Sequence, residues 1–285
     1  MRVQSGLVNS QNYARSLGEA AYPEFFRNLV GAWIPGLNPR GGSTLFDISG
    51  RGYNGTLTDM DPTTDWVVSE KGLAIDLDAT NDDINLGSIG LLRSKSQFTV
   101  VSWFKQANAG TFYRSIISSG QSGDGVNRTV AFMTLFASGD SGFYFGSAVG
   151  YGYTAGGVFP SNEWHCGGWT FNGFGSANAD RLKIYKNGVD LPLTFSGTVP
   201  SITHSQNYAH KIGAEHPTAP SFNGQMAGVL LWHRPLTQRE HALLYTLGPT
   251  GWLAKKQRRS FFGFGGAVTP PASRSGDLLL LGVGT

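Results

Sequence analysis

The sequence predicts an all-β fold, a sandwich of two antiparallel sheets closed by one short helix, on three observations. Forty glycines stand among 285 residues of which 14% are charged, a turn-rich and weakly charged composition that suits many short strands. Short runs alternate aromatic or β-branched residues with small or polar ones, the two-residue period of a half-buried strand. Turn residues fill the gaps at intervals typical of a sandwich.

The runs follow in order. "LVGAWI" at 29–34, "GLAIDLD" at 72–78, "QFTVVSWFK" at 97–105 and "RSIISS" at 114–119 are strands of the first half. "TVAFMTLF" at 129–136, "GFYFGSAV" at 142–149 and "WHCGGWTFN" at 164–172 continue the pattern. "DRLKIYKNGVDLPLTF" at 180–195 is a hairpin, because Asn187 and Gly188 tolerate positive φ at both centres of a type I′ turn. "AHKIGAE" at 209–215 and "QMAGVLLWH" at 225–233 complete the strands. In "LTQREHALLYTLGP" Thr237 and Glu240 form a capping box, Leu243, Leu244 and Leu247 make one apolar face, and Gly248 with Pro249 stops the helix.

These limits place one domain at 29–248, an N-terminal arm at 1–28 with helical pieces but no strand pattern, and a C-terminal arm at 249–285. No apolar run approaches the roughly twenty residues of a membrane helix, so a soluble protein is expected. The start lacks the apolar segment of a secretory signal, and export by the general route is not expected. The one cysteine, Cys166, excludes an internal disulfide framework and reads as a small buried apolar residue. A net charge of +3 is too small to make the whole surface a nucleic-acid footprint.

"LVGAWIPG", "LFDISGRGYNGTL", "GLAIDLDATNDDINLG", "FTVVSWFK", "EWHCGGWTFNG", "LKIYKNGV" and "FNGQMAGVLLWHRPLTQREHALLY", in that order, resemble the laminin-G-like, concanavalin A-like jelly-roll domains. The most specific pieces are Asp47, Ser49 and Gly50 with Asn54 and Gly55, the Trp164 strand, the Asn-Gly hairpin and the last strand with its helix. The resemblance implies two curved sheets of six or seven strands, with ligand sites on the concave face or at one rim. It does not imply one function. The layout of arm, domain and basic Gly/Pro-rich tail also resembles structural proteins of tailed bacteriophages.

Calcium is the cofactor the resemblance implies, held by Asp47 and an acidic residue of the last strand. Ala227 and Gly228 stand where that acidic residue is expected, and Asp47 has a competing role as a cap of its own loop. Asp76, Asp78, Asn81, Asp82 and Asp83 form a second oxygen-rich stretch that reads as a solvated turn. Glycan hydrolysis needs two carboxylates across a sugar bond. Glu163 and Glu215 lack partners on a shared face, and the glucanase pattern is absent, so no enzyme activity is expected. Among His165, His204, His210 and His216 no spacing selects a His and Tyr pair.

Carbohydrate binding needs only aromatic faces beside a few polar groups. Tyr144, Tyr151, Tyr153 and Phe159, in the glycine-rich "FYFGSAVGYGYTAGGVF", are the candidate ligand contacts. The tail supplies candidate assembly contacts: the cations Lys255, Lys256, Arg258 and Arg259, the aromatics Phe261 and Phe262, and the apolar run Leu278, Leu279, Leu280 and Leu281. A basic start, aromatic anchors and a strand-like end suit docking to neighbouring subunits. The leading expectation is therefore a virion structural protein, a bacteriophage capsid decoration or fibre-like component in a homo-oligomer bound to other virion proteins. The alternative is a carbohydrate-binding or adhesion module that is secreted or sits at a cell surface.

Overall fold

The computed structural model describes residues 13–107, 114–119, 130–134, 141–145, 150–214 and 221–256, with the backbone alone at 130–134 and 144–145. The strands are β1 (Leu29–Trp33), β2 (Thr44–Leu45), β3 (Gly55–Thr58), β4 (Trp66–Ser69), β5 (Gly72–Asp78) and β6 (Asp83–Gly87). Then come β7 (Gln97–Gln106), β8 (Arg114–Ser119), β9 (Val130–Thr134), β10 (Ser141–Phe145), β11 (Gly150–Tyr153) and β12 (Trp164–Asn172). The short α1 (Asn178–Arg181) precedes β13 (Leu182–Lys186), β14 (Val189–Leu191), β15 (Thr194–Gly197), β16 (His210–Ile212) and β17 (Asn223–Trp232), and α2 (Gln238–Gly251) follows.

The strands form two antiparallel sheets. One runs β14-β13-β12-β7-β17-β5-β4, with β1 also on β17, and the other runs β15-β11-β10-β9-β8-β16-β6-β3-β2. Between them lies one core that includes Trp33, Trp66, Phe98, Phe104, Phe143, Phe159, Trp169 and Phe171. Phe98 meets both Phe143 of the opposite sheet and Phe171 of its own, with ring centroids 5.8 and 5.2 Å apart. Such tilted pairs add to the burial of large aromatic rings, the main driving force available to a sandwich.

The middle of the eight-stranded sheet is buried on both faces. Along β1, β7, β12 and β17 nearly every residue is buried, which explains why these strands read as continuous apolar runs. The second cover is a separate apolar layer that includes Trp103, Leu230, Trp232, Leu244, Trp252 and Leu253, together with Phe25 and Phe26 from before β1. Its edges are tied by hydrogen bonds: the Trp232 indole donates to the Phe25 carbonyl at 2.8 Å, and the Ala14 amide donates to the Leu253 carbonyl at 2.7 Å.

The packed unit thus runs past both expected domain limits, 29 and 248. Residues 13–28 and 249–256 contribute Ala14, Ala20, Phe25, Phe26, Trp252 and Leu253 to the second core, and bridges join Tyr13 to Ala254 and Ala20 to Lys255. The described parts of the two arms are therefore a lid on the sandwich. An aromatic placed before the first strand has no period to reveal which surface it covers.

Two local expectations are met in detail. Asn187 and Gly188 have φ of 50° and 83° at the β13–β14 turn. The Asn187 side chain accepts from the Cys166 amide at 2.9 Å, pinning the hairpin to β12. In α2 the Thr237 hydroxyl accepts from the Glu240 amide, and the Glu240 carboxylate accepts from the Thr237 amide at 2.8 Å. Gly248, at φ 69°, breaks the helix where the sequence stops it, and one further turn carries Trp252 into the second core.

Candidate functional site

With the middle of one sheet covered on both sides, the outer face of the nine-stranded sheet is the broader uncovered face among the described residues, and its polar pattern follows from strand alternation. Phe143, Ile84 and Ile212 point into the core, so their strand neighbours point outward. The middle of that face is closed. Lys211 pairs with Asp83, and the buried Ser118 hydroxyl donates to the Ala214 carbonyl at 2.8 Å. The β15–β11 end is open, with exposed Thr194 and Ser196.

There the sequence Gly-Tyr-Gly-Tyr of β11 alternates perfectly. Gly150 and Gly152 are buried, and Tyr151 and Tyr153 are half-buried. A β-carbon at Gly152 would lie 2.9 Å from the Phe195 ring, and one at Gly150 would strike the backbone of Thr198. Both glycines are therefore there because β15 and the residues just after it pack too closely for any side chain. The tyrosines are consequently directed to the opposite face, paired in register with Ser196 and Thr194. Their ring centroids are 5.8 Å apart with planes inclined by 35°. Tyr144 takes the cross-strand position opposite Tyr151, and its side chain lies outside the described residues.

Phe159, the fourth expected contact, is a core residue. It is fully buried, with its ring 5.7 Å from Phe104 and edge-on to His165 at 5.4 Å, and the Lys186 ammonium sits over it at 5.8 Å. A glycine-rich neighbourhood does not distinguish a ring in a surface loop from one that turns into the core.

Asp47, the expected calcium ligand, has its carboxylate filled by its own protein. One oxygen accepts from the amides of Ala32 at 2.9 Å and Ser49 at 2.8 Å, and the other from the Ser49 hydroxyl at 2.8 Å and the Tyr53 amide at 3.1 Å. The residue is completely buried. The structure thus makes Asp47 a loop clamp, the competing role, and Ala227 is a buried apolar residue of the second core. Among the described residues no group of three His, Cys, Asp or Glu side chains is placed to hold a metal ion. At the β5–β6 turn, burial and the charges of Asp78 and Asp65 raise the Asp82 carboxyl to about 6. Burial, then Asp65, raises Asp76 as well.

Of the four candidate histidines, the three described ones are engaged in packing. Burial lowers the pKa of His165, His204 and His210, the last to about 4. The His210 Nε2 accepts from the Leu92 amide, and His165 Nε2 donates to the Pro160 carbonyl at 2.9 Å. His204 lies 5.1 Å from the Tyr208 ring and 3.3 Å from the Ser119 hydroxyl. Glu163 is exposed at a turn, and Glu215 and His216 lie outside the described residues. Burial also pushes the Cys166 thiol well up, as a core position requires.

Of the expected assembly contacts, Lys255 and Lys256 are described. Lys255 bridges to Ala20, and the Lys256 amide donates to the Glu19 carbonyl at 2.8 Å, so their backbone joins the segment before β1 to the one after α2. Arg258, Arg259, Phe261, Phe262 and Leu278 to Leu281 lie outside the described residues.

A model of the concanavalin A-like lectin/glucanases superfamily, of the laminin-G type, matches residues 78–240, more than half of the chain. The chain belongs to this superfamily. No curated protein matches it in sequence. Among solved structures of the same architecture is domain 4 of an extracellular GH43 arabinanase from Geobacillus stearothermophilus, in complex with arabinotriose. It is 20% identical with a TM-score of 0.56, over 80% of this chain and 99% of that one. A Trypanosoma rangeli sialidase in complex with sialic acid is 13% identical with a TM-score of 0.52, over 77% of this chain. This chain spans 33% of that sialidase. At such identities the likeness establishes the superfamily's fold and leaves the site to be argued from its own residues.

Proposed function

We propose that this member of the superfamily is a carbohydrate-binding module whose contact surface is the β11–β15 end of the nine-stranded sheet. The observation that carries the reading is the pair Tyr151 and Tyr153, side by side on the outer face, each half-buried and flanked by exposed Thr194 and Ser196. A sugar ring offers an apolar C–H face and a polar hydroxyl rim. A fixed aromatic platform with hydroxyl neighbours matches both. The arabinanase domain of the same fold, matched over 99% of its length and in complex with arabinotriose, supports this reading over that of a virion component. We read the module as one that binds its ligand without turning it over: among the described residues, the outward carboxylate of β6, Asp83, is held by Lys211. Its setting is extracellular or at a cell surface.

A glycan array probed with the full chain tests the reading. We expect at least one glycan class to be retained by the native chain and lost by the Tyr151→Ala, Tyr153→Ala double variant. An array on which nothing binds, or on which the double variant binds unchanged, overturns it.

A further inference from the structure

A cleft of about 310 Å3 opens at the rim of the sandwich, and it shares no residue with the tyrosine strand. Beside Val30 of β1, three separate stretches form it: the loop between β2 and β3, the loop joining β6 to β7, and the residue after β17. Each contributes one basic side chain, respectively Arg51, Lys95 and His233. Val30, Ile89 and Leu91 provide an apolar wall. The volume is that of a small ligand pocket.

Among the described residues no carboxylate pairs with any of the three basic groups. The ion pairs among the described residues are Lys183–Asp190, Lys211–Asp83 and Arg234–Glu240, none of which involves Arg51 or Lys95. Asp47, whose carboxylate also caps the Tyr53 amide, is consumed by backbone and hydroxyl donors. The neighbouring Arg234 is held by Glu240 and by the carbonyls of Glu24 and Arg27, so it does not compete for the cleft. Converging like charges on a folded surface costs free energy unless something of opposite sign is received there.

The frame is also fixed before any ligand arrives. Lys95 is clamped to Thr203 through both its amide and its carbonyl, at 2.7 and 2.9 Å. The Tyr53 carbonyl accepts from the Trp33 indole at 2.7 Å, and the His233 Nε2–H donates to the Leu91 carbonyl at 2.7 Å. That bond fixes the tautomer and leaves Nδ1 as the ring nitrogen able to gain a proton. Preorganised groups of this kind lose little freedom on binding.

We propose that this rim cleft is a binding site for an oxyanion, a carboxylate or phosphate group, carried on a small organic ligand whose apolar edge rests against Val30, Ile89 and Leu91. Lys95 and Arg51 supply the charge, and His233 adds a donor once protonated. Burial first, then the charges of Lys95 and Arg51, holds the His233 pKa below its usual value. An anion between those cations opposes their effect, so binding takes up a proton and tightens as the pH falls from 7.5 toward 6.

Isothermal titration of the full chain with sodium glucuronate, glucose 6-phosphate and glucose, at equal ionic strength, tests the site. We expect at least one anionic probe to bind with a dissociation constant of about 1 mM or tighter and glucose not to bind in this range. The tighter of the two anions assigns carboxylate or phosphate. Lys95→Ala and Arg51→Ala each weaken binding about tenfold, Lys95→Arg keeps it, and the Tyr151→Ala, Tyr153→Ala variant leaves it unchanged. The His233 ring resonances shift on saturation. Equal binding of all three probes, binding of none, or full binding by correctly folded Lys95→Ala overturns the proposal without bearing on the tyrosine platform.

Discussion

The imidazole of His241, on α2, lies flat on the ring of Tyr185, on β13, with centroids 3.9 Å apart and planes inclined by 18°. Its Nε2 meets the Thr170 hydroxyl at 3.0 Å, and Gly168 lies beneath it, where a methyl group would run into the ring. The helix is thereby keyed to the sheet by a buried, uncharged histidine. Burial lowers its pKa from 6.5 to about 3.

The sign of the resulting pH dependence follows. The unfolded chain protonates this histidine below about pH 6.5 and the folded chain only near pH 3, so the unfolded state holds more protons between these values. Stability present at neutral pH is lost as the pH falls through that window, by up to about 1.4 kcal/mol per pH unit for such a group. His210, lowered to about 4, acts in the same direction. Urea denaturation at pH 7 and 4.5 is expected to show a smaller loss for His241→Gln than for the native chain.

Gly168→Ala is expected to destabilise the fold by about 1–3 kcal/mol, the usual cost of overpacking. Gly36→Ala, whose β-carbon meets nothing closer than 3.9 Å, is the control and stays near the native midpoint in thermal melts.

Asp82 works in the opposite direction from the histidines. Its carboxyl, raised to about 6, holds a proton in the folded state between roughly pH 4 and 6 and pays for ionisation above that. Asp82→Asn keeps an acceptor for the Asp78 amide. The variant is expected to melt higher than the native chain at pH 8, with the difference vanishing at pH 4.

Much of this architecture was legible in the sequence, and the gaps have physical causes. Strands 72–78 and 164–172 are found at the expected residues, because long runs with turns at both ends leave little choice. β2, β3, β4 and β6, two to five residues long, are too short for a period to show. β15 overlaps the end of the run that carries the hairpin. The Gly-Tyr-Gly-Tyr alternation of β11 was present in the quoted stretch, yet only the packing of Phe195 against Gly152 reveals which face the tyrosines take. Phe159 carried the same local signal as the tyrosines and turned inward. The rim cleft was invisible because Arg51, Lys95 and His233 are 182 positions apart from first to last and are joined only by the fold.

Trp252 shows what the chain ends contribute. It is fully buried against Phe26, with centroids 5.5 Å apart, and its indole donates to the Pro249 carbonyl at 2.8 Å. Trp252→Ala is expected to cost about 3–5 kcal/mol, and protease is expected to cut the segment before β1 faster in the variant, because both ends share one apolar layer.

Asp47→Ala leaves the buried amides of Ala32 and Ser49 without their acceptor. We expect a loss of about 2–4 kcal/mol from several unsatisfied donors. Since that carboxylate is already filled, calcium or a chelator is expected to leave the native melting temperature in place, as differential scanning calorimetry with each addition checks.

The carbohydrate platform is tested most directly by titrating the native chain, Tyr151→Phe and Tyr151→Ala with arabinotriose, sialic acid and any oligosaccharide retained on the array. Stacking requires the ring and not its hydroxyl. Phenylalanine is therefore predicted to keep the affinity for the bound sugar within about threefold, and alanine to lose tenfold or more, about 1.4 kcal/mol. A folded Tyr151→Ala chain that binds the same sugar as tightly as the native one would contradict the account.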